Sequence, residues 1–310
     1  MIDRTISMET APRSTGSFSG RIYALITSSE PIRGLVLLSP TLLVMLLAMC
    51  APFILMVLFS FWTQTGFEFD TNLTLKNYES VVSRDIYSTL FYRSLMISGA
   101  CTIVTVLLAY PMAYYVAFHV RKRKMIWIIM MTLPFWTSYL LRVFCWKIIL
   151  GYNGVINTGL EGLGFISEPL GFLLYSPTAV VITLTHAWAA FAILPIYVSL
   201  EKIDRSLLEA ATDLGDGPVK RFLGVTLPLS LPGVIAGTLL IFVPTVGDFV
   251  TPALVGGPDG LMIANIVQAQ FGRVNNWPMG AALSIASMVL IAIIALVYMW
   301  VASRATGRRA

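Results

Sequence analysis

Six apolar runs, at about 35–62, 92–118, 126–150, 178–200, 231–253 and 281–302, constrain this chain more than any other feature. A bilayer core is about 30 Å thick, and a helix that crosses it needs about 20 mostly apolar residues. The runs here are continuous rather than alternating, so they read as helices. The sixth, AALSIASMVLIAIIALVYMW, contains no charge at all. Composition agrees, with 57% of residues hydrophobic and 12% charged; a soluble protein carries roughly twice that charge. The expected fold class is an all-α polytopic membrane protein, with six transmembrane helices in one domain over residues 31–310. Residues 1–30 lack the apolar core of a cleaved leader and read as a polar cytoplasmic tail.

Pro40, Pro52, Pro111, Pro134, Pro195, Pro232 and Pro244 interrupt the first five runs. In a soluble helix interior each costs about 3 kcal/mol. In a membrane bundle neighbouring helices re-satisfy the freed carbonyls, so they read either as tolerated kinks or as breaks that shape a cavity.

Lys and Arg give the orientation. Arg4, Arg13, Arg21 and Arg33 lie before the first run, Arg121 to Lys124 in the second connection, Lys202, Arg205, Lys220 and Arg221 in the fourth, and Arg304, Arg308 and Arg309 at the end. The first, third and fifth connections hold Lys76, Arg84 and Arg273 beside the acids Glu68, Asp70, Glu79, Asp85, Glu161, Glu168 and Asp259. The excess of positive charge on cytoplasmic loops places both termini inside. The net charge of +5 is therefore a topology signal and implies no nucleic-acid partner.

The inventory argues against catalysis and against a self-powered carrier. There are two histidines, His119 and His186, with no H-E-x-x-H, no clustered Cys/His ligands and no G-x-S-x-G, so neither a metal site nor a catalytic residue is expected. His186 reads as an interhelical hydrogen-bonding group. Cys50, Cys101 and Cys145 lie inside the runs and read as small packing residues. The deep ionisable set is Arg142, Lys147 and Asp248, thin for a proton or sodium relay. No G-x-x-x-x-G-K-[ST] occurs, so energy for uphill transport has to come from a partner.

The fourth connection, about 201–228, is richer than a linker requires. DRSLLEAATDLG reads as a short helix with Asp204 as N-cap, Leu207, Leu208, Ala211 and Leu214 along one side, and Gly215 where a C-terminal glycine belongs. Pro218 starts a second short helix, and Leu227-Pro228 leads into the fifth run.

Glu209-Ala210-Ala211, Gly215, Val225, Leu227 and Pro228 resemble the EAA loop of ABC-transporter permeases, with Val225 standing where the family has Ile. Two stretches, LPFWTSYLLRVFCWKIILGYNGVINT from Leu133 and VPTVGDFVTPALVGGPDGLMI from Val243, look like the spermidine/putrescine-type permeases of binding-protein-dependent importers. The resemblance covers the chain from about residue 35. It implies a type I importer fold, with the loop as a coupling helix seated on an ATPase. It also implies an ABC ATPase dimer that binds ATP and Mg, a second homologous permease, an external or periplasmic solute-binding protein, and a place in the bacterial inner membrane. This chain itself would hold no cofactor. The implied function is half of an ATP-driven import path for a small cationic solute, a polyamine. The alternatives are the same machinery for an opine, an amino-acid derivative or a betaine and, outside the class, an ion-coupled carrier or channel.

Arg142 stands 17 residues beyond Met125 and Asp248 stands 17 beyond Leu231. At about 1.5 Å per residue both are expected roughly 25 Å up in straight helices. Asp248 either attracts a cationic solute or pairs with Arg142. Ser138, Tyr139, Arg142 and Trp146 fall on one helical face, and Trp136 and Tyr139 offer π-faces to an ammonium group; packing is the alternative for each ring. The fifth connection is expected to carry a short helix over Ile263 to Phe271, as a gate, a docking surface or a passive lid.

Overall fold

The computed structural model describes residues 30–66 and 68–307, so apart from Glu30 the tail expected over 1–30 lies outside them, as do Arg308 and Arg309. The chain divides after Met56. The first unit holds most of α1 (Glu30–Phe61), whose Leu, Val and Met side chains are exposed along its length.

The second unit begins at Val57 with the end of α1 and a hairpin of β1 (Thr63–Thr65) and β2 (Glu68–Asp70), antiparallel with Gln64 opposite Phe69. Then come α2 (Lys76–Ser83), α3 (Asp85–Phe118), α4 (Lys124–Thr132), a 3-10 turn over Leu133–Trp136, α5 (Tyr139–Ile149), α6 (Val155–Gly162) and α7 (Pro177–Glu201). Beyond α7 lie α8 (Arg205–Asp213), α9 (Pro218–Arg221), a π segment over Phe222–Thr226, α10 (Leu227–Val246), α11 (Gly257–Gly260), α12 (Ile263–Gly272) and α13 (Trp277–Gly307).

Among the described residues five helices are long and apolar enough to cross a bilayer, and the pair Lys124–Trp136 and Tyr139–Ile149, bent by 86°, makes the sixth if it is one span. The straight third span expected over 126–150 is thus corrected to a broken one. Pro134 cannot donate to the carbonyl four residues back, and Thr137 adopts an extended conformation. The Thr137 hydroxyl donates to the Pro134 carbonyl at 2.7 Å, satisfying part of the broken ladder. The fifth span also differs from 231–253. It starts at Pro218, as α9 and the π segment continue into α10, and it ends at Val246. In a regular helix the Pro228 ring would collide with the Gly224 carbonyl. Gly224 lies in the π segment, whose wider turn relieves that crowding.

The main core joins α3, α5, α7 and α10 through fully buried Cys101, Val143, Leu184, Ile196 and Ile241, with Val255 and Met262 from the connection beyond α10. Cys50 and Cys145 are exposed, so of the three cysteines Cys101 alone packs as expected. At the crossing of α7 and α10 the backbones nearly touch. A Cβ on Gly233 would collide with the Pro195 carbonyl oxygen and stand 2.5 Å from Ser199 Cβ, and one on Gly237 would lie 3.3 Å from Ala192 Cα. Small residues permit this approach, which is how membrane helices gain packing energy without a hydrophobic driving force.

Gly233→Ala is therefore expected to lower the thermal midpoint of the detergent-purified chain, since overpacking costs about 1–3 kcal/mol. Gly99→Ala, where an added Cβ meets nothing within 4 Å, is the control and should not lower it. Equal midpoints for the two variants would show that the crossing yields freely.

Candidate functional site

Two regions carry the polar chemistry. The first is the fourth connection. Asp204 caps α8, its carboxylate accepting from the Ser206 N–H at 3.0 Å, and that bond holds the carboxyl below the usual range. The helix ends in a Schellman motif. Asp216 N–H donates to the Ala211 carbonyl at 3.0 Å and Gly215 N–H to the Thr212 carbonyl at 2.9 Å. This closure needs a left-handed residue at its corner, and Gly215 has φ +86°. Glu209 and Ala210 point outward while Ala211 is buried.

Leu207 and Leu214 are 48% and 86% exposed, so the packed side expected over Leu207, Leu208, Ala211 and Leu214 narrows to Leu208 and Ala211; the C-cap Leu214 is left uncovered by the described residues. The segment from Pro218 is likewise not a second helix lying across the base, since it runs on into the fifth span. Arg221 Nη1 donates to Thr212 Oγ1 at 2.8 Å and ties the segment to α8. The Phe222 ring meets Tyr110 and Tyr114 edge-on at 5.6 and 6.0 Å, and the Tyr110 hydroxyl bonds Ser230 at 2.8 Å. Leu227 and Pro228 are half-buried at the start of α10. A cleft of about 360 Å³ separates Glu209, Asp213 and Arg221 from Phe118 and His119 at the end of α3. Lys124 of the basic block donates to the Glu201 carboxylate at 2.8 Å and to the Ala117 carbonyl at 2.9 Å, so it joins α3 and α7.

The second region lies where α5 meets the end of α10. Asp248 is 8% exposed. Its carboxylate accepts from the Tyr139 hydroxyl and, at 2.8 Å, from the Val250 N–H. Tyr139 also bonds Thr251 Oγ1 at 2.6 Å. The ion pair with Arg142, one of the two roles open for Asp248, is not formed. Arg142 Nη1 instead donates to the Ala187 carbonyl at 3.0 Å, with the guanidinium 4.8 Å from the Phe135 ring centre and 5.9 Å from that of Tyr139. The reason is the 86° bend, which turns α5 away from the line of α4 and invalidates the equal straight-helix depths.

Tyr139, Arg142 and Trp146 share the inner side of α5, whereas Ser138 is its exposed N-cap and Trp136, 79% exposed, stands apart before the bend. His186 meets the Trp146 ring at 5.5 Å, yet its Nδ1 is buried with no hydrogen-bond partner, contrary to its expected interhelical bond. Trp188, 6.2 Å from the Tyr139 ring, and Thr251 were not singled out from sequence. No sequence signal marks Trp188, while Thr251 stands three residues after Asp248, where a small polar residue caps an acid's turn. The helix expected over Ile263 to Phe271 is present as α12, anchored by Asn265 Nδ2 donating to the Phe249 carbonyl at 2.7 Å.

A family model described as binding-protein-dependent transport system inner membrane component matches residues 36–307. The spermidine/putrescine transport system permease protein PotB of Haemophilus influenzae is 38% identical over 248 residues, 80% of this chain and 86% of that one. The protein of the same name from Escherichia coli is 36% identical over 236 residues, 76% of this chain and 85% of its own. A chain of a bacterial alginate ABC transporter, solved with an alginate pentasaccharide-bound periplasmic protein, superposes with a TM-score of 0.73 at 15% identity, covering 92% of this chain and 98% of its own.

The Tyr139–Asp248 contact has a measurable consequence. Tyr139→Phe leaves one carboxylate oxygen without its donor, and an unmade buried hydrogen bond costs about 1–3 kcal/mol. The thermal midpoint should fall, and a cycle with Asp248→Asn should be non-additive. Additive effects of the two changes would show that the contact contributes nothing to stability.

Proposed function

The chain belongs to the binding-protein-dependent transport system inner membrane components, and on that premise we propose that it forms half of the translocation path of an ATP-driven importer for small organic cations of the polyamine class. The relatives' names, spermidine and putrescine permeases, support that solute class. The observation that carries the reading is α8, a capped helix whose Glu209 and Ala210 face outward beside a sharply closed Gly215 turn. It is the contact with a partner ATPase dimer, which holds ATP and Mg. Ala211 packs the helix onto this chain, and Leu227 and Pro228 carry its displacement into α10. A second homologous permease completes the path and an external solute-binding protein delivers the solute. Both termini are cytoplasmic in this reading, which the Lys and Arg distribution supports.

On the solute side the support is Asp248. It is a buried carboxylate whose donors are neutral, and no cationic side chain lies within ion-pair distance among the described residues. A buried charge without a partner is costly, and a solute ammonium group passing Tyr139 would compensate it. Trp136 is 79% exposed and its ring holds no cation among the described residues, while Arg142 takes the Tyr139 and Phe135 faces.

Three outcomes follow for the reconstituted importer. Gly215→Val should abolish uptake while leaving the spans inserted, because a β-branched residue is strained at φ +86° and disturbs the turn; Glu209→Ala should do so more weakly. Normal uptake by Gly215→Val at normal expression would make this loop a connector only. Asp248→Asn should lower uptake while basal ATP hydrolysis survives, and full uptake would remove Asp248 from the path. In a cysteine-free background, cysteines at Asp70 or Phe165 should react with an impermeant reagent from outside, and cysteines at Lys122 or Asp216 only after permeabilisation.

A further inference from the structure

We propose that Arg142 is a tethered competitor of the solute: its guanidinium occupies an aromatic cage beside Asp248 that is a second cation site, suited to the far ammonium group of a diamine. The inference rests on the reading that Asp248 meets one ammonium group of the solute, and it adds a site for the other.

Four rings form a continuous run. The centroids of Phe135 and Phe191 are 6.3 Å apart, those of Phe191 and Trp188 5.3 Å, and those of Trp188 and Tyr139 6.2 Å. The two ends of the run both face the Arg142 guanidinium, Phe135 at 4.8 Å and Tyr139 at 5.9 Å. The Ala187 carbonyl, one residue before Trp188, accepts from Arg142 Nη1 at 3.0 Å. No carboxylate pairs with this guanidinium among the described residues. Ring faces attract a cation by their quadrupole, and one carbonyl oxygen takes an N–H bond. That is the recognition chemistry of an alkylammonium group.

The guanidinium fills this cage poorly. It is planar with five N–H donors, and its Nε is buried with no hydrogen-bond partner. An ammonium group is a compact charge with fewer donors to satisfy. Arg142 is therefore held there by its tether more than by its fit. A competitor that occupies a site lowers the apparent affinity of the solute by the fraction of time that the site is taken. Its side chain turns about unbranched single bonds, so exchange of one cation for the other asks for no rearrangement of a helix.

Tyr139 belongs to both sites. Its ring closes one end of the cage, and its hydroxyl donates to Asp248. A diamine with one ammonium group at Asp248 brings its chain past the ring of the same tyrosine. A monoamine at Asp248 has nothing to offer the cage.

Putrescine and butylamine share a carbon chain and differ by one ammonium group, so they make the matched pair for the test. Each labelled amine is titrated into the purified importer, assembled with its ATPase and second permease and without the binding protein. Arg142→Ala should hold putrescine about tenfold tighter than wild type, the worth of a desolvated cation–π contact. It should raise butylamine affinity by a clearly smaller factor. Adding Phe135→Leu, which removes a ring face and keeps apolar bulk, should abolish most of the putrescine gain. Arg142→Lys keeps a tethered cation and should stay close to wild type.

Putrescine held no tighter by Arg142→Ala, an equal gain for both amines, or a gain that survives Phe135→Leu overturns the proposal; an equal gain means that Arg142 only repels cations at a distance. Should Arg142→Ala fail to assemble, the neutral Arg142→Gln takes its place with the same expectations. Asp248→Asn keeps the two readings apart, since it should weaken both amines. If it weakens neither while the Arg142→Ala gain persists, the Asp248 reading fails and the cage stands alone as a cation site. If it weakens both and Arg142→Ala gains nothing, the cage fails and Asp248 stands.

Discussion

The close crossing of α7 and α10 at Gly233 and Gly237 is the contact on which the rest of the molecule depends. At one end these helices flank the loop that carries α8, since α7 ends at Glu201 and the fifth span starts at Pro218. Toward the other end α7 supplies Ala187 and Trp188, and α10 delivers Asp248 two residues past its last turn. The crossing thus stands between the loop that carries α8 and the end of α10 that carries Asp248. Short, specific contacts tie the loop to the bundle: Arg221 to Thr212, Phe222 against Tyr110 and Tyr114, and Tyr110 to Ser230 on α10.

The electrostatics of the upper site follow from where α10 stops. Asp248 has left the helix, so its carboxylate turns back onto the Val250 N–H, as acids do at turns. Hydrogen bonds from neutral donors stabilise the charge without neutralising it. An ion pair with Arg142 would remove the charge from use, and breaking it later would cost several kcal/mol. Holding Asp248 by Tyr139 and a backbone amide keeps the carboxylate oriented while leaving its charge uncompensated. The same economy holds for Arg142, stacked on Phe135 and tied to one carbonyl.

Much of this was legible in the sequence because it depends on local rules. Asp204, Gly215 and Pro218 name the start and the end of α8 and the start of α9 by backbone preference alone, and the structure has each of them in that place. The apolar runs mark the first, second, fourth and sixth spans, and Ile263 to Phe271 marks α12, because length and amphipathicity are properties of a segment. What stayed hidden depends on two segments at once. The Tyr139 contact with Asp248 joins residues 109 apart, and Lys124 with Glu201 joins residues 77 apart. Pro134 signalled a break, but not that the bend reaches 86°, and that angle decides whether Arg142 faces Asp248 or Ala187.

The bend itself is the last physical step. A straight third span would place Arg142 on a lipid-facing or core-facing stripe fixed by its helical phase with α4. By ending the helix at the 3-10 turn and restarting at Tyr139, the chain frees α5 to adopt its own direction and phase. Val143 then enters the core at 0% exposure, and Tyr139 and Trp146 pack at its margin. The cost is a set of backbone groups at the break that no regular ladder satisfies, met in part by Thr137. Irregular backbone at membrane depth is stable only against protein or a polar cavity, never against lipid. The break at Thr137 and Ser138, both exposed on this chain, therefore needs protein or a polar cavity against it and not lipid. It also explains why the residues just beyond the break, and not those before it, carry the polar chemistry.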